Sequence, residues 1–220
     1  AAGIAHEINN PLAIIAEEVG VLRDALDPEL DHDDEEPLDI PEHLQAIHDA
    51  TFRCRDITRK LLTFVRRTEV RMELQDLHEI LDEVLEDMLE NELSISNVSL
   101  ETHYDRTIPE TLTDRNQLIQ VFVNLAKNAI DAMPGMGKLT VTTRRKNGRA
   151  VIAFRDTGCG MPPEHLEQVF MPFFTTKEPG KGTGLGLSIS YTIIRNFGGK
   201  FYVDSTPGRG STFTVELPLA

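Results

Sequence analysis

Two cysteines, Cys54 and Cys159, are all the chain has, and their spacing fits neither a metal site nor a disulfide framework. A reducing, cytosolic setting is therefore the expectation. Long apolar runs are missing: none approaches the ~18 residues a membrane helix needs, and no signal peptide is visible. No initiator Met is present and the chain opens inside a patterned element, so it is expected to be a fragment, with any membrane attachment confined to segments outside it. No basic stripe offsets phosphate repulsion, which excludes nucleic acid as a partner. The phosphate-binding pattern G-x-x-x-x-G-K-[ST] occurs nowhere. Lys and Arg are absent from residues 27–42, "DPELDHDDEEPLDIPE", whose nine acids supply −9 of the net charge of −14. With Pro28, Pro37 and Pro41 in the same stretch, a solvated acidic turn is expected there.

What the chain does have is enough apolar material, 40% of 220 residues, to bury a core in one or two domains. Ile8, Leu12, Ile15, Val19, Leu22 and Leu26 follow at steps of 4, 3, 4, 3, 4. Ile47, Ala50, Cys54, Ile57, Leu61 and Phe64 repeat 3, 4, 3, 4, 3. These are two amphipathic helices joined by the acidic turn, an antiparallel hairpin over residues 1–68. Two helices leave part of each seam wet, so two copies are expected to pair into a homodimeric four-helix bundle.

Near the start of the first helix stands "HEINNP", residues 6–11. His6 and Asn10 are four apart, hence on one face, off the seam and exposed. Pro11 inside a helix costs ~3 kcal/mol or more, and is expected to loosen the helix beside His6. On this stretch alone, a surface histidine without a task and a simple kink remain open readings.

From residue 69 to 220 helical and β-rich segments alternate. "LHEILDEVLEDMLEN" and "DRNQLIQVFVNLAKNAIDAM" have helical spacing, the second with Asp114 as its N-cap. "KLTVTTRR", "AVIAFRD", "KFYVDS" and "STFTVELP" read as strands, with "KNGR" turning a hairpin between the first two. The expected fold is α+β in two domains: the helical hairpin, then an α/β sandwich. Three clusters interrupt the packing pattern. Asn124 and Asn128 share a helix face, within reach of one ligand or cation, with a plain exposed polar face as the open alternative. "DTGCGM" places the carboxylate of Asp156 beside Gly158 and Gly160, whose missing side chains would let a flat ligand approach the backbone, with a plain turn as an equally open reading. "TTKEPGKGTGLGLSIS" brings Lys177, Lys181, Gly182, Gly184 and Gly186 before a helix, a phosphate-binding arrangement. A dinucleotide fold fails, because position 187 is Leu and "FMPFFTTKEPGK" cannot be a central strand.

Five motifs in order, "HEINNPL", "NLAKNAIDAM", "DTGCGM", "FMPFFTTK" and "GKGTGLGLSIS", resemble the transmitter region of bacterial two-component sensor histidine kinases, with wording most similar to the nitrogen-regulation type. The resemblance implies an ATP-binding domain of the kind shared with Hsp90 and gyrase. It implies that His6 is the phosphoacceptor, with Glu7 handling the imidazole proton, and that Asp156 accepts from the adenine amino group. Asn128 would hold Mg²⁺, with Asn124 and Lys127 close by. A lid over Phe170–Lys181, including Phe173, Thr176, Lys177 and Lys181, and the backbone of Gly182, Thr183, Gly184, Leu185, Gly186 and Leu187 would take the phosphates. Ser211 or Thr212 would meet adenine through water. Glu7-x-x-Asn10 resembles a phosphatase motif. The implied activity is autophosphorylation by ATP, transfer to an aspartate of a cognate response regulator, and dephosphorylation of that regulator. A non-kinase ATPase of the same fold would lack the phosphoacceptor helix, and a degenerate scaffold would have lost the glycines or Asn128.

Overall fold

The computed structural model describes residues 2–26, 39–65, 70–177 and 182–219, with the side chains of 2–7 and 56–65 left aside. Of the acidic turn expected over 27–42, residues 27–38 lie outside the described ones, as does Lys181, whereas Ile40, Pro41 and Glu42 already belong to a helix, whose first turn tolerates the proline because the N–H groups there have no intrahelical partner. The chain divides into two compact units, 1–67 with 175–183, and 68–174 with 184–220.

In the first unit, α1 (Ala2–Ala25) and α2 (Ile40–Val65) form the hairpin. Ile8, Ile15, Leu22, Ile47 and Cys54 are half-buried and Ala50 is buried, so the expected seams do meet. Glu18 and His43 pair across the helices. The seam is nevertheless incomplete within one chain, since Leu12 and Val19 are each 48% exposed and Leu26 is 76% exposed. Pro11 behaves differently from expectation. The helix itself continues from Ala2 to Ala25, and Pro11 is buried. The ring loses one backbone bond but packs, so the loosened segment expected beside His6 is not found.

In the second unit, a five-stranded mixed sheet has the order β2-β4-β5-β7-β6, where β2 is Val98–His103, β4 Gly137–Lys146, β5 Arg149–Asp156, β6 Lys200–Thr206 and β7 Gly210–Pro218. Only β2–β4 is parallel. A separate pair joins β1 (Glu73–Gln75) to β3 (Thr111–Thr113). Asn147 and Gly148 both take positive φ, the two-residue turn that twisted antiparallel strands favour, which is why "KNGR" makes the β4–β5 hairpin. The segment expected as one helix from Leu77 is instead α3 (Leu77–Asp82), a π-helical turn (Glu83–Met88) and α4 (Glu90–Ile95). α5 runs Arg115–Asp131, capped by the Asp114 carboxylate accepting from the Gln117 N–H at 3.0 Å. A short α6 (Pro163–Leu166) and α7 (Gly186–Asn196) follow. One core joins sheet and helices: Leu81, Val84, Phe122, Leu125, Leu139, Ile152, Phe154, Ile194 and Val215 are all buried in it.

Candidate functional site

Strand alternation decides what Asp156 can do. It ends β5 on the inward face, 2% exposed, after Ile152 and Phe154. Its Oδ1 accepts the N–H of Gly158 at 2.8 Å and of Ser211 at 3.1 Å. Burial pushes the carboxyl above its ordinary range, and those two backbone donors pull it part of the way back. Ser211 belongs to a small hydroxyl chain. Ser205 Oγ accepts from the Met161 N–H at 2.8 Å and gives its one proton to the Gly210 carbonyl at 3.0 Å, so Ser211 donates to Ser205 at 3.0 Å. Thr212 pairs in register with exposed Arg155 and so faces the other side of the sheet. Of the two residues expected near adenine, Ser211 alone stands on the Asp156 side.

The glycines after Asp156 answer first to protein packing. A Cβ on Gly158 would strike the Ala132 carbonyl at the end of α5, and one on Gly160, at φ +66°, would strike the Thr206 carbonyl. The loop between is held by the Cys159 N–H to Ala132 O at 3.0 Å and the Gly208 N–H to Cys159 O at 2.7 Å. The ligand-approach reading of these glycines was therefore incomplete: their first task is to seat the loop between α5 and the β6–β7 turn.

On α5, Asn124 donates from Nδ2 to Ser190 Oγ of α7 at 3.1 Å. Gly186 opens α7 because any Cβ there would collide with Asn124 Oδ1. Asn128, one turn on and half-buried, has no side-chain hydrogen bond among the described residues. Lys127 sits apart from the asparagines, its Nζ 2.8 Å from Glu92 Oε1 on α4. Among the described residues no side chain caps α7 at Leu185, which leaves the N–H groups at its start to an anion. Gly184, at φ +62°, packs on the Phe173 backbone and accepts its N–H at 3.0 Å, while Phe173 takes φ +69°.

The second unit thus holds two groups, Asp156, Gly158, Gly160 and Ser211 around the end of β5, and Asn124, Asn128, Leu185, Gly186 and Leu187 along α5 and the start of α7, with Phe173 packed on Gly184 just before α7. Thr176, Lys177, Gly182 and Thr183 fall in the other unit, where the Lys177 N–H bonds Thr175 Oγ1 at 3.2 Å. Asn10 is exposed on α1 as expected, whereas the side chains of His6 and Glu7 lie outside the described ones. Sequence reading missed Ser190 and Ser205. Ser205 was recoverable, since "STPGRGS" is a hairpin whose outer serines become cross-strand partners.

Two family models match the chain, His Kinase A (phospho-acceptor) domain over residues 1–70 and histidine kinase-, DNA gyrase B- and HSP90-like ATPase over residues 113–220. The chain belongs to the two-component sensor histidine kinases, as a transmitter region. Among curated histidine kinases, it is 38% identical to the sensor kinase CckA of Brucella abortus, aligning 99% of this chain with 24% of that protein. It is 36% identical to sporulation kinase C of Bacillus subtilis, aligning all of this chain with 48% of that protein. The chain thus spans a quarter to a half of these curated kinases. The catalytic domain of the histidine kinase ThkA is 32% identical with a TM-score of 0.61, covering 67% of this chain and 95% of that one. A crystal structure of ThkA in complex with the response regulator TrrA is 27% identical with a TM-score of 0.74, covering all of this chain and 60% of that one. Within the described residues of this transmitter, no helix is long and apolar enough to cross a membrane.

Proposed function

We propose that this transmitter is the catalytic core of a histidine kinase that phosphorylates His6 from Mg·ATP, passes the phosphoryl group to an aspartate of a cognate response regulator, and dephosphorylates that regulator. The observation that carries this is Asp156: a buried carboxylate held through one oxygen by two backbone N–H groups keeps its other oxygen for a donor of the size and polarity of an adenine amino group. The residues fit the rest of the nucleotide. The amide of Asn128, without a side-chain partner among the described residues, would offer an oxygen to Mg²⁺, and the start of α7, with the backbone from Gly184 to Leu187, would offer N–H donors to phosphates. Lys127 would have to leave Glu92 to take part.

Bound ATP supplies the phosphoryl group, and Mg²⁺ neutralises its charge. A ring nitrogen of the His6 imidazole would form the new N–P bond while the bond to the ADP oxygen breaks. Glu7 accepts or orients the imidazole proton. Incubating the chain with ATP labelled in the γ-phosphate tests this: acid-labile label on His6 supports it, and nucleotide hydrolysis without protein label overturns it. ThkA was crystallised with a response regulator, and by that likeness the partner of this chain is a response regulator as well. The working compartment is the cytoplasm.

A second copy of the chain is the proposed cover for Leu12, Val19, Leu26, Ile40 and Leu44, which are exposed on the hairpin at spacings that continue its seams. Ile15→Asp would bury an unpaired carboxylate in that seam at a cost of several kcal/mol. Sedimentation should find the variant monomeric where the parent chain is dimeric. A parent chain that is monomeric at micromolar concentration removes the bundle.

Asn10 is exposed, one turn from His6. Its amide would orient a water against the aspartyl phosphate of a docked regulator, a role that phosphorylation of His6 does not need. Asn10→Ala should keep autophosphorylation within about tenfold while slowing regulator dephosphorylation on the order of 100-fold, the scale of one oriented transition-state contact. Equal losses of both activities, with a weaker helix, would take the phosphatase role away.

A further inference from the structure

The backbone enters the second unit with little to hold it. Its first strand, β1, is three residues long, pairing Glu73 with Thr113 and Gln75 with Thr111. Val70, Met72, Leu74 and the cross-strand Leu112 are all exposed, so apolar burial contributes little at this entry. One polar contact stands out. The residue after β3 is Asp114, 7% exposed, and its two oxygens have separate tasks. Oδ1 caps α5 through the Gln117 N–H, and Oδ2 accepts the Arg71 N–H at 2.9 Å across 43 residues of sequence. A helix cap needs only the first. Arg115, next along, pairs with Glu83 of the π-helical turn, which fixes the start of α5 from a second side. α5 is the helix that carries Asn124 and Asn128.

We propose that Asp114 is a positioning residue for phosphoryl transfer, joining the backbone that arrives from the His6 hairpin to the helix that carries Asn124 and Asn128. This rests on the kinase reading above. Phosphoryl transfer is limited by alignment, and the joint fixes where the connecting segment meets α5. Binding of nucleotide alone does not require it.

Two substitutions separate the tasks in the full 220-residue chain. Asp114→Asn retains an oxygen for the cap but turns an NH2 toward the Arg71 N–H, and Asp114→Ser has a single hydroxyl that caps. Amide hydrogen exchange should show Gln117 still protected and Arg71 exchanging at least about tenfold faster than in the parent chain. The KM for ATP should stay within about twofold while kcat for His6 phosphorylation falls about tenfold. If Arg71 opens and kcat does not change, the joint has no role in transfer. If kcat and KM worsen together while Gln117 also loses protection, Asp114 is a cap and nothing more. A parent chain that takes no label on His6 sinks the kinase reading, whereas the exchange rates at Arg71 and Gln117 test the joint by themselves.

Discussion

Replacing His6 with glutamine is expected to abolish acid-labile phosphorylation while leaving ATP affinity within about twofold of the parent chain. Glutamine approximates the length and polarity of histidine, but its amide nitrogen is not a nucleophile, because its lone pair is delocalised into the carbonyl. The proposed nucleotide contacts at Asn128, Asp156 and the start of α7 all belong to the second unit, so nothing in them changes. Label from the γ-phosphate and calorimetric titration with a non-hydrolysable analogue make the two measurements. Label retained at the parental rate would mean another residue is the acceptor. Loss of nucleotide affinity would mean that the assignment of the site to the second unit is wrong.

Asp156→Asn is expected to weaken ATP binding on the order of 100-fold with the fold retained. The asparagine oxygen can still accept the Gly158 and Ser211 N–H groups, so the local backbone stays satisfied. The other carboxylate oxygen becomes an NH2, and two donors then face each other in a buried place, a mismatch of about 1 to 3 kcal/mol from the unsatisfied group, more where a charge is lost. The same geometry predicts a change of preference: a purine with a carbonyl at position 6 should regain affinity in the variant, because the NH2 now has an acceptor. Competition between ATP and ITP reads this directly, and folding defects cannot mimic it. Unchanged preference would remove Asp156 from base recognition.

Much of this architecture was legible because it rests on local chemistry. Asp114 read as an N-cap, the asparagine and glycine of "KNGR" read as a tight hairpin, and the heptad steps through Ile8 and Ile47 read as two facing helices. What was not legible depends on long-range partners. β2 offers only Val98 and Leu100 as apolar residues, and its pairing with β4 is set by a crossover through α5 rather than by anything adjacent. The π-helical turn at Glu83–Met88 carries ordinary helix-forming residues, so periodicity alone reads straight through it. Gly158 and Gly186 looked like openings for a ligand, yet each is first required by a neighbour, Ala132 in one case and Asn124 in the other, and no single-sequence pattern reveals such an approach. Pro11 shows the converse, a strong local signal overruled by packing.

The parallel pairing of β2 with β4 has a consequence for how the second unit assembles. β4, β5, β7 and β6 are joined edge to edge by antiparallel contacts, two of them short hairpins that can close within microseconds. β2 reaches β4 through α5, from Val98 to Gly137, a shorter closure than the one from Arg155 to Thr212 that brings β7 to β5, so the β5–β7 pairing carries the larger loop entropy and comes late. The helix bearing Asn124 and Asn128 lies inside the shorter closure, whereas α7 lies inside the longer one. The start of α7 would therefore be placed after the asparagines of α5, and ligand that needs both would act on the last stage of folding rather than the first.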